Sequence, residues 1–326
     1  MPADHLTTTC QATEPGGFAA GVLAVLAGAA PATVAASYAL DPADLDDAVR
    51  TYQAAGLAAL ERCAERTWYQ VRVQFPDWPA AEMAGATALG PALDLLRADD
   101  AVAGWWFLRK HPCWRLRLLR ADSAAAGRVL DELTGTGVIA RWRATVYEPE
   151  TAAFGGPAGM DTVHDLFCAD SAGVLDYLRQ DAPAPGLGRR ELSILLLSGL
   201  MRAAGLDTFE CGDVFDRVAR LRPAPASTAR TGKLAGHVRV LLSIPDLAGS
   251  ELFTPGGPAA HAAPWLAALS AAGERLGQDA GDGRLDRGLR AILTHVVIFH
   301  WNRFGLSATS QGILARAAAT ALLPRS

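Results

Sequence analysis

Residues 104–120 read GWWFLRKHPCWRLRLLR, and the fold follows from this stretch. Two runs, 105–109 and 114–120, mix aromatic and aliphatic residues with arginine and are joined through His111 and Pro112. In the second run Trp114, Leu116 and Leu118 alternate with Arg115 and Arg117. A period of two belongs to strands whose faces differ, and the short joint makes the pair a hairpin. The pattern recurs on both sides. In 68–75, WYQVRVQF, the residues Tyr69, Val71, Val73 and Phe75 fall on one face, and Gln70, Arg72 and Gln74 on the other. In 140–147, Trp142, Ala144 and Val146 alternate with Arg141 and Arg143. Helical patterns at 80–96 and 124–134 separate these strands. The expected architecture is α+β, a largely antiparallel sheet with helices between its strands. Most of the sheet arginines read as solvated side chains lying over apolar neighbours. Arg109 differs, because a tryptophan-rich strand is buried and an arginine there needs a fixed anionic partner.

Upstream of the sheet, helices are expected at 18–26, at 32–38 and from Asp41-Pro42 onward, where Asp41 caps free amides and Pro42 suits the first helical position. Leu45, Val49, Tyr52, Leu57 and Leu60 give the third helix its apolar stripe. The result is a trihelical extension, 1–66, ahead of a domain spanning 67–326. Its size suits a helix-turn-helix, but Asp41, Asp44, Asp46 and Asp47 would face phosphates, which argues against DNA. A structural cap fits better, with a peptide-docking module as the alternative.

Beyond the sheet the chain is helical. Residues 154–160, FGGPAGM, read as a glycine loop open to close backbone approach, followed by helices at 161–168 and 171–180. A linker at 182–188 leads to an all-round apolar helix at 190–204, then to one at 211–220 and a connector at 223–231. Helices at 232–244, at 259–276 and from Arg284 and Gln311 complete the chain. In the helix from Arg284, the residues Leu285, Leu289, Ile292, Val296 and Phe299 recur at steps of three and four as a buried stripe. His300 lies at its edge and Arg303 one turn on, which aims both into one cleft before Gly305 stops the helix.

Composition narrows the partners. The 326 residues carry 30 Lys+Arg against 34 Asp+Glu, a net charge of −4 that offers no general pull on nucleic acid. Five scattered cysteines, with no CxxC pair and no zinc-type spacing, suit a reducing compartment and no metal. No basic leader precedes an apolar run, and no apolar run nears the roughly 20 residues that span a bilayer. A cytoplasmic protein without a membrane partner is expected.

The motifs WWFLRKHPCWRLRL, YEPE with FGGPAGM, LFCADS, RRELS and FHWNR, in that order, resemble those of the thiopeptide-type bacteriocin biosynthesis proteins, relatives of the C-terminal elimination domain of class I lantibiotic dehydratases. The resemblance spans about residues 67–320. It implies work on a ribosomally made precursor peptide whose Ser or Thr is first glutamylated from glutamyl-tRNA by a separately encoded protein. Elimination of glutamate then leaves dehydroalanine or dehydrobutyrine. A second branch, the pyridine synthases, performs a formal [4+2] cycloaddition of two dehydroalanines. Neither chemistry needs a metal or an organic cofactor.

The family's aromatic-x-Arg arginine matches Arg109 and its histidine before Asn-Arg matches His300. The resemblance implies that Arg109 holds the departing carboxylate and His300 transfers a proton, with Arg117, Arg143, Tyr147, Glu150 and Arg303 binding and orienting substrate. One departure stands out. The family's Glu-x-x-Arg-Tyr-Gly-Gly appears as Glu150-Thr151-Ala152-Ala153-Phe154-Gly155-Gly156, so Ala153 replaces its arginine, and Arg117 or Arg143 is left to take that place. Elimination is the leading expectation; cycloaddition and a non-catalytic peptide-binding partner of a dehydratase stay open.

Overall fold

Pro15, Pro31 and Pro42 each open a helix, a position where the missing N–H removes no intrahelical bond. The computed structural model describes residues 15–65, 67–180, 187–224 and 228–323, and the chain divides into two compact units, 1–66 and 67–326. In the first unit α1 (Pro15–Leu26), α2 (Pro31–Ser37) and α3 (Pro42–Glu65) enclose a small core of Val22, Val34, Ala35, Leu40, Leu45 and Val49. Asp41 caps α3 by accepting from the Ala43 and Asp44 amides at 2.8 and 3.2 Å. The expected stripe ends early: Leu45 and Val49 are buried, but Tyr52 and Leu57 are exposed because two short helices cover only the first turns of α3. The Leu60 side chain falls outside the described residues. Above that core an apolar groove of about 770 Å³ remains, floored by Phe18, Val22 and Tyr52 and edged by Asp44 and Asp47.

The second unit begins with the sheet. Strands β1 (Trp68–Gln74), β2 (Gly104–Lys110), β3 (Cys113–Leu119) and β4 (Arg141–Thr145) pair antiparallel throughout, in the order β2-β3-β1-β4. Register sorts the faces. Opposite residues such as Val71 with Leu116 and Ala144, or Val73 with Trp114 and Trp142, make one face apolar. Helix α4 (Ala81–Ala84), a π turn (Gly85–Leu89) and α5 (Gly90–Ala98) run on without a break and meet that face at Trp114, which a Cβ on Gly85 would reach within 2.4 Å. Helix α6 (Ser123–Gly135), capped by Asp122, closes it at Trp142, whose indole donates to Asp131 at 2.8 Å.

The opposite face carries Arg115, Arg117, Arg72 and Arg143, and helix α7 (Gly156–Arg179) covers one end of it. There Phe167 lies 4.8 Å from Trp106. The glycine loop and two helices expected at 154–180 are instead one turn and one continuous helix. Gly155 and Gly156 take φ of 85° and 88°, and Pro157 then opens α7. Backbone does approach closely here, but the approaching group belongs to the chain itself: a Cβ on Gly156 would lie 2.2 Å from Asp286 Oδ2.

Six further helices pack behind: α8 (Arg189–Ala203), α9 (Thr208–Arg220), α10 (Thr228–Leu242), α11 (Ala263–Gly281), α12 (Leu289–Arg303) and α13 (Ala308–Leu322). The linker expected at 182–188 lies largely outside the described residues, and the connector expected to reach 231 ends earlier, since α10 starts at Thr228. The single stripe expected on α12 is replaced by burial on several sides, with Ile292, Leu293, Val296, Val297 and Trp301 all covered. Leu285 precedes the helix. No described helix is long and apolar enough to cross a membrane.

Candidate functional site

Asp170 is the acidic residue of α7 that four helices converge on. Its Oδ1 accepts from the Trp265 indole of α11 at 3.0 Å and from His300 Nδ1 of α12 at 2.7 Å, and its Oδ2 accepts from Arg303 Nε at 2.6 Å. On α8, Ser193 completes the group: its Oγ lies 3.0 Å from His300 Nε2 and accepts from the Trp301 indole at 2.6 Å. All of these side chains are buried. Burial alone would raise the Asp170 carboxyl, but the charges and hydrogen bonds of His300 and Arg303 hold it well below the usual carboxylate range. His300 therefore has both ring nitrogens engaged. The expected cleft shared by His300 and Arg303 is a closed polar node instead, because Asp170, unassigned in the sequence reading, draws both inward.

Arg303 nevertheless keeps unused donors. It is 0% exposed, its guanidinium lies 4.2 Å from the Phe167 ring centroid, and no described protein group accepts from Nη1 or Nη2. Burial lowers its pKa, against the pull of Asp170. Across the aromatic layer stands Arg117 of β3, 1% exposed and held over Trp106 at 4.0 Å and Tyr147 at 4.8 Å. Its Nε and Nη1 also lack an acceptor among the described residues. Burial pushes Arg117 down to about 10, opposed by Tyr147 and Glu150 and helped by the positive charge of Arg303. Most sheet arginines were expected to be solvated, with Arg117 also named as a substrate-binding candidate; Trp106 and Tyr147 cover it.

Tyr147 and Glu150 follow β4 and border the same space. The Tyr147 hydroxyl lies 2.9 Å from His164 Nε2. Burial raises the phenol above its ordinary range and lowers His164 to about 4, so at neutral pH an uncharged phenol and an uncharged imidazole share this hydrogen bond. Glu150 is only half-buried, and its Oε2 receives no hydrogen bond from the described residues. Nearby, burial pushes the Cys168 thiol up to about 12, which keeps it protonated. The arrangement offers buried guanidinium donors, without acceptors among the described residues, packed against aromatic rings with the half-buried Glu150 carboxylate nearby. Such donors favour a carboxylate ligand, because an arginine fork bonds two oxygens at once where water competes little.

The other expected residues lie apart. Arg109, on the apolar face of the sheet, has the anionic partner its burial requires: Glu82 of α4 bonds it directly and is also held by Arg189 of α8 at 2.5 and 2.9 Å. Arg189 further donates to the Phe304 carbonyl at 3.2 Å, at the end of α12. Arg109 thus approaches the helix that bears His300 without touching the imidazole, and it faces away from Arg117. Arg143 stands exposed on β4 opposite Arg72. Asp170, Ser193, His164, Glu82 and Arg189 were missed. A signal existed for the first two, since Asp170 is the one charged residue of 166–175 and Ser193 the one polar residue of 192–197. Among the described residues no three His, Cys, Asp or Glu side chains are placed to share a metal ion.

Residues 68–322 match the family model described as lantibiotic biosynthesis dehydratase C-term. No curated protein matches the chain. Among solved structures it is similar to the tRNA-dependent lantibiotic dehydratase MibB from Microbispora sp. 107891, at 19% identity and a TM-score of 0.53 over 77% of this chain. The chain spans 28% of that protein's length. It is also similar to TsrL, at 17% identity and a TM-score of 0.54, over 79% of this chain and 99% of TsrL. Both likenesses are of fold.

Proposed function

The chain belongs to the lantibiotic biosynthesis dehydratase C-terminal family, and from that premise we propose that it removes glutamate from glutamylated Ser or Thr of a ribosomal precursor peptide. The observation that carries the reading is the enclosed Arg117, whose Nε and Nη1 have no acceptor among the described residues. In this reading those two donors take the carboxylate of the departing glutamate. Loss of the Cα proton places charge on the neighbouring carbonyl oxygen, the Cβ–O bond breaks, and its electrons leave with glutamate. Arg303 adds positive field from its unbonded Nη groups, and fixed donors in a dry site stabilise such charge better than water does. Glu150, at the rim, accepts the proton.

Arg109 and His300 then act as positioning residues. His300 fixes Asp170 and so Arg303, and Arg109 secures the end of α12 through Glu82. The proton transfer expected of His300 passes to Glu150 in this proposal, because both imidazole nitrogens are engaged. The substrate would come from a separately encoded glutamylation protein. Mass spectrometry of a glutamylated peptide incubated with the protein tests the reading. Arg117→Met should slow glutamate loss at least about a hundredfold, the scale of losing one such donor. Release at an undiminished rate from a folded Arg117→Met protein defeats it.

One residue favours a second reading. Ala153 stands where the resembled dehydratases carry arginine, a change that weakens elimination more than cycloaddition or binding without chemistry. A peptide already bearing dehydroalanines separates these. Ring closure with loss of the leader marks a pyridine synthase, and binding with neither reaction marks a non-catalytic partner.

A further inference from the structure

The sheet has two edges that differ. Along β2, the Phe107 amide donates to Ser171 Oγ of α7 at 3.1 Å, so a helix closes that edge. Along β4 no strand pairs with the outer side among the described residues. An open edge presents unpaired main-chain groups that accept a further strand.

The face beside this edge is strongly basic. Register places Arg115, Arg72 and Arg143 in one row across β3, β1 and β4. Like charges directly opposite on adjacent strands repel. No ion pair within the described residues relieves any of the three, and Arg72 Nε is buried without an acceptor. Arg141 lies two residues before Arg143 on the same face, with Nε donating to Gln74 at 2.9 Å. A groove of about 400 Å³ runs here, lined by Arg72, Arg141, Arg143 and Trp142. The other face of the same edge is apolar: Trp142 is followed at even spacing by Ala144 and, just past the end of β4, by Val146, which is 80% exposed.

We propose that the free edge of β4 docks an extended segment of the precursor peptide in which acidic and apolar residues alternate. The segment adds a fifth strand. Its main chain pairs with β4, its carboxylates lie along Arg141, Arg143 and Arg72, and its apolar side chains continue the face of Trp142 and Val146. A nucleic acid would use the arginines but not the strand edge, and a chain of net charge −4 repels a polyanion overall. The inference rests on the reading of the chain as a peptide-modifying protein and adds the sequence character of what it holds.

Fluorescence anisotropy with the full chain tests it. The probe is a labelled ten-residue peptide alternating Glu and Val. Replacing Glu by Gln should weaken binding at least about tenfold, and so should Arg141→Gln with Arg143→Gln. Only alternate residues of an added strand bond to its neighbour. Methylating the amides of all Glu residues, or of all Val residues, should therefore have unequal effects, one set weakening binding about tenfold and the other sparing it. Equal effects of the two methylations, indifference to the arginine changes, or tighter binding of a ten-nucleotide RNA overturns the proposal. Peptide binding of the expected kind without release of glutamate leaves this inference standing and removes the elimination reading. Release of glutamate with none of these binding differences does the reverse.

Discussion

Replacing Asp170 by Asn changes one atom and breaks the node on which α7, α8, α11 and α12 meet. The carboxylate accepts three hydrogen bonds, two on Oδ1 and one on Oδ2. An amide has a single acceptor oxygen. If that oxygen stays with Trp265 and His300, the new NH2 faces Arg303 Nε, donor against donor, and a guanidinium with 0% exposure loses its counter-charge. Removing one partner of a buried ion pair costs about 3–5 kcal/mol. A domain whose whole stability is about 5–15 kcal/mol loses a large part of it.

Urea unfolding followed by tryptophan fluorescence measures the loss in the relevant unit, because all 8 tryptophans lie at position 68 or beyond. A double-mutant cycle identifies the cause. Arg303→Met in the Asp170→Asn background removes the stranded cation, so the double variant should be more stable than the sum of the single losses by about 2 kcal/mol. A destabilisation by Asp170→Asn below about 1 kcal/mol, or strict additivity in the cycle, would refute the assignment of Asp170 as the counter-charge of Arg303.

Acid should expose the neutral His164. Its folded pKa of about 4 lies below the ordinary 6.5, so the unfolded chain binds more protons between those values and stability falls as pH drops from 6.5 to 4. The loss attributable to this group approaches about 3 kcal/mol, and His164→Gln, which keeps a hydrogen-bonding partner for Tyr147, should flatten the urea-midpoint profile in that window. A profile as steep in the variant removes the claim. Gly156→Ala places a side chain at φ 88° and 2.2 Å from Asp286 Oδ2, so it should cost at least about 1–3 kcal/mol by the same unfolding measurement. A neutral effect means that the α7 turn is not constrained as described.

The sheet was legible because a period of two is written in β1, β3 and β4, and the register pairs Val71 with Leu116 and Ala144 as alternation demands. What alternation cannot report is which part of a face another element covers. Arg115 and Arg117 are equivalent in the sequence, yet Arg117 is buried and Arg115 is not, because α7 crosses only one end of the sheet. The length of α7 was itself hidden, since Gly155-Gly156-Pro157 reads as a loop until Asp286 fixes the turn through its amide, 3.0 Å from the Gly155 carbonyl. The rule that a buried arginine needs an acid held for both Arg109 and Arg303. It could not identify Glu82 or Asp170, which lie 27 and 133 residues away along the chain.

Those two acids act on the same helix end. Asp170 holds Arg303, the last residue of α12, from within, while Glu82 gathers Arg109 and Arg189 just beyond it, where Arg189 also takes the Phe304 carbonyl. Gly305 sits between them at φ 75°, and a Cβ there would lie 2.5 Å from Glu82 Oε1 and 2.8 Å from Arg109 Nη1. Cations at a helix C terminus are favourable in themselves, since they meet the unpaired carbonyls and the negative end of the dipole. Here they also fix the end of the helix that carries Arg303. The arginine and the histidine carried over from the family motifs thus brace this helix, Arg109 from beyond its end through Glu82 and Arg189 and His300 from within through Asp170, while Arg117 and Arg303, like Arg109, keep guanidinium nitrogens without an acceptor among the described residues.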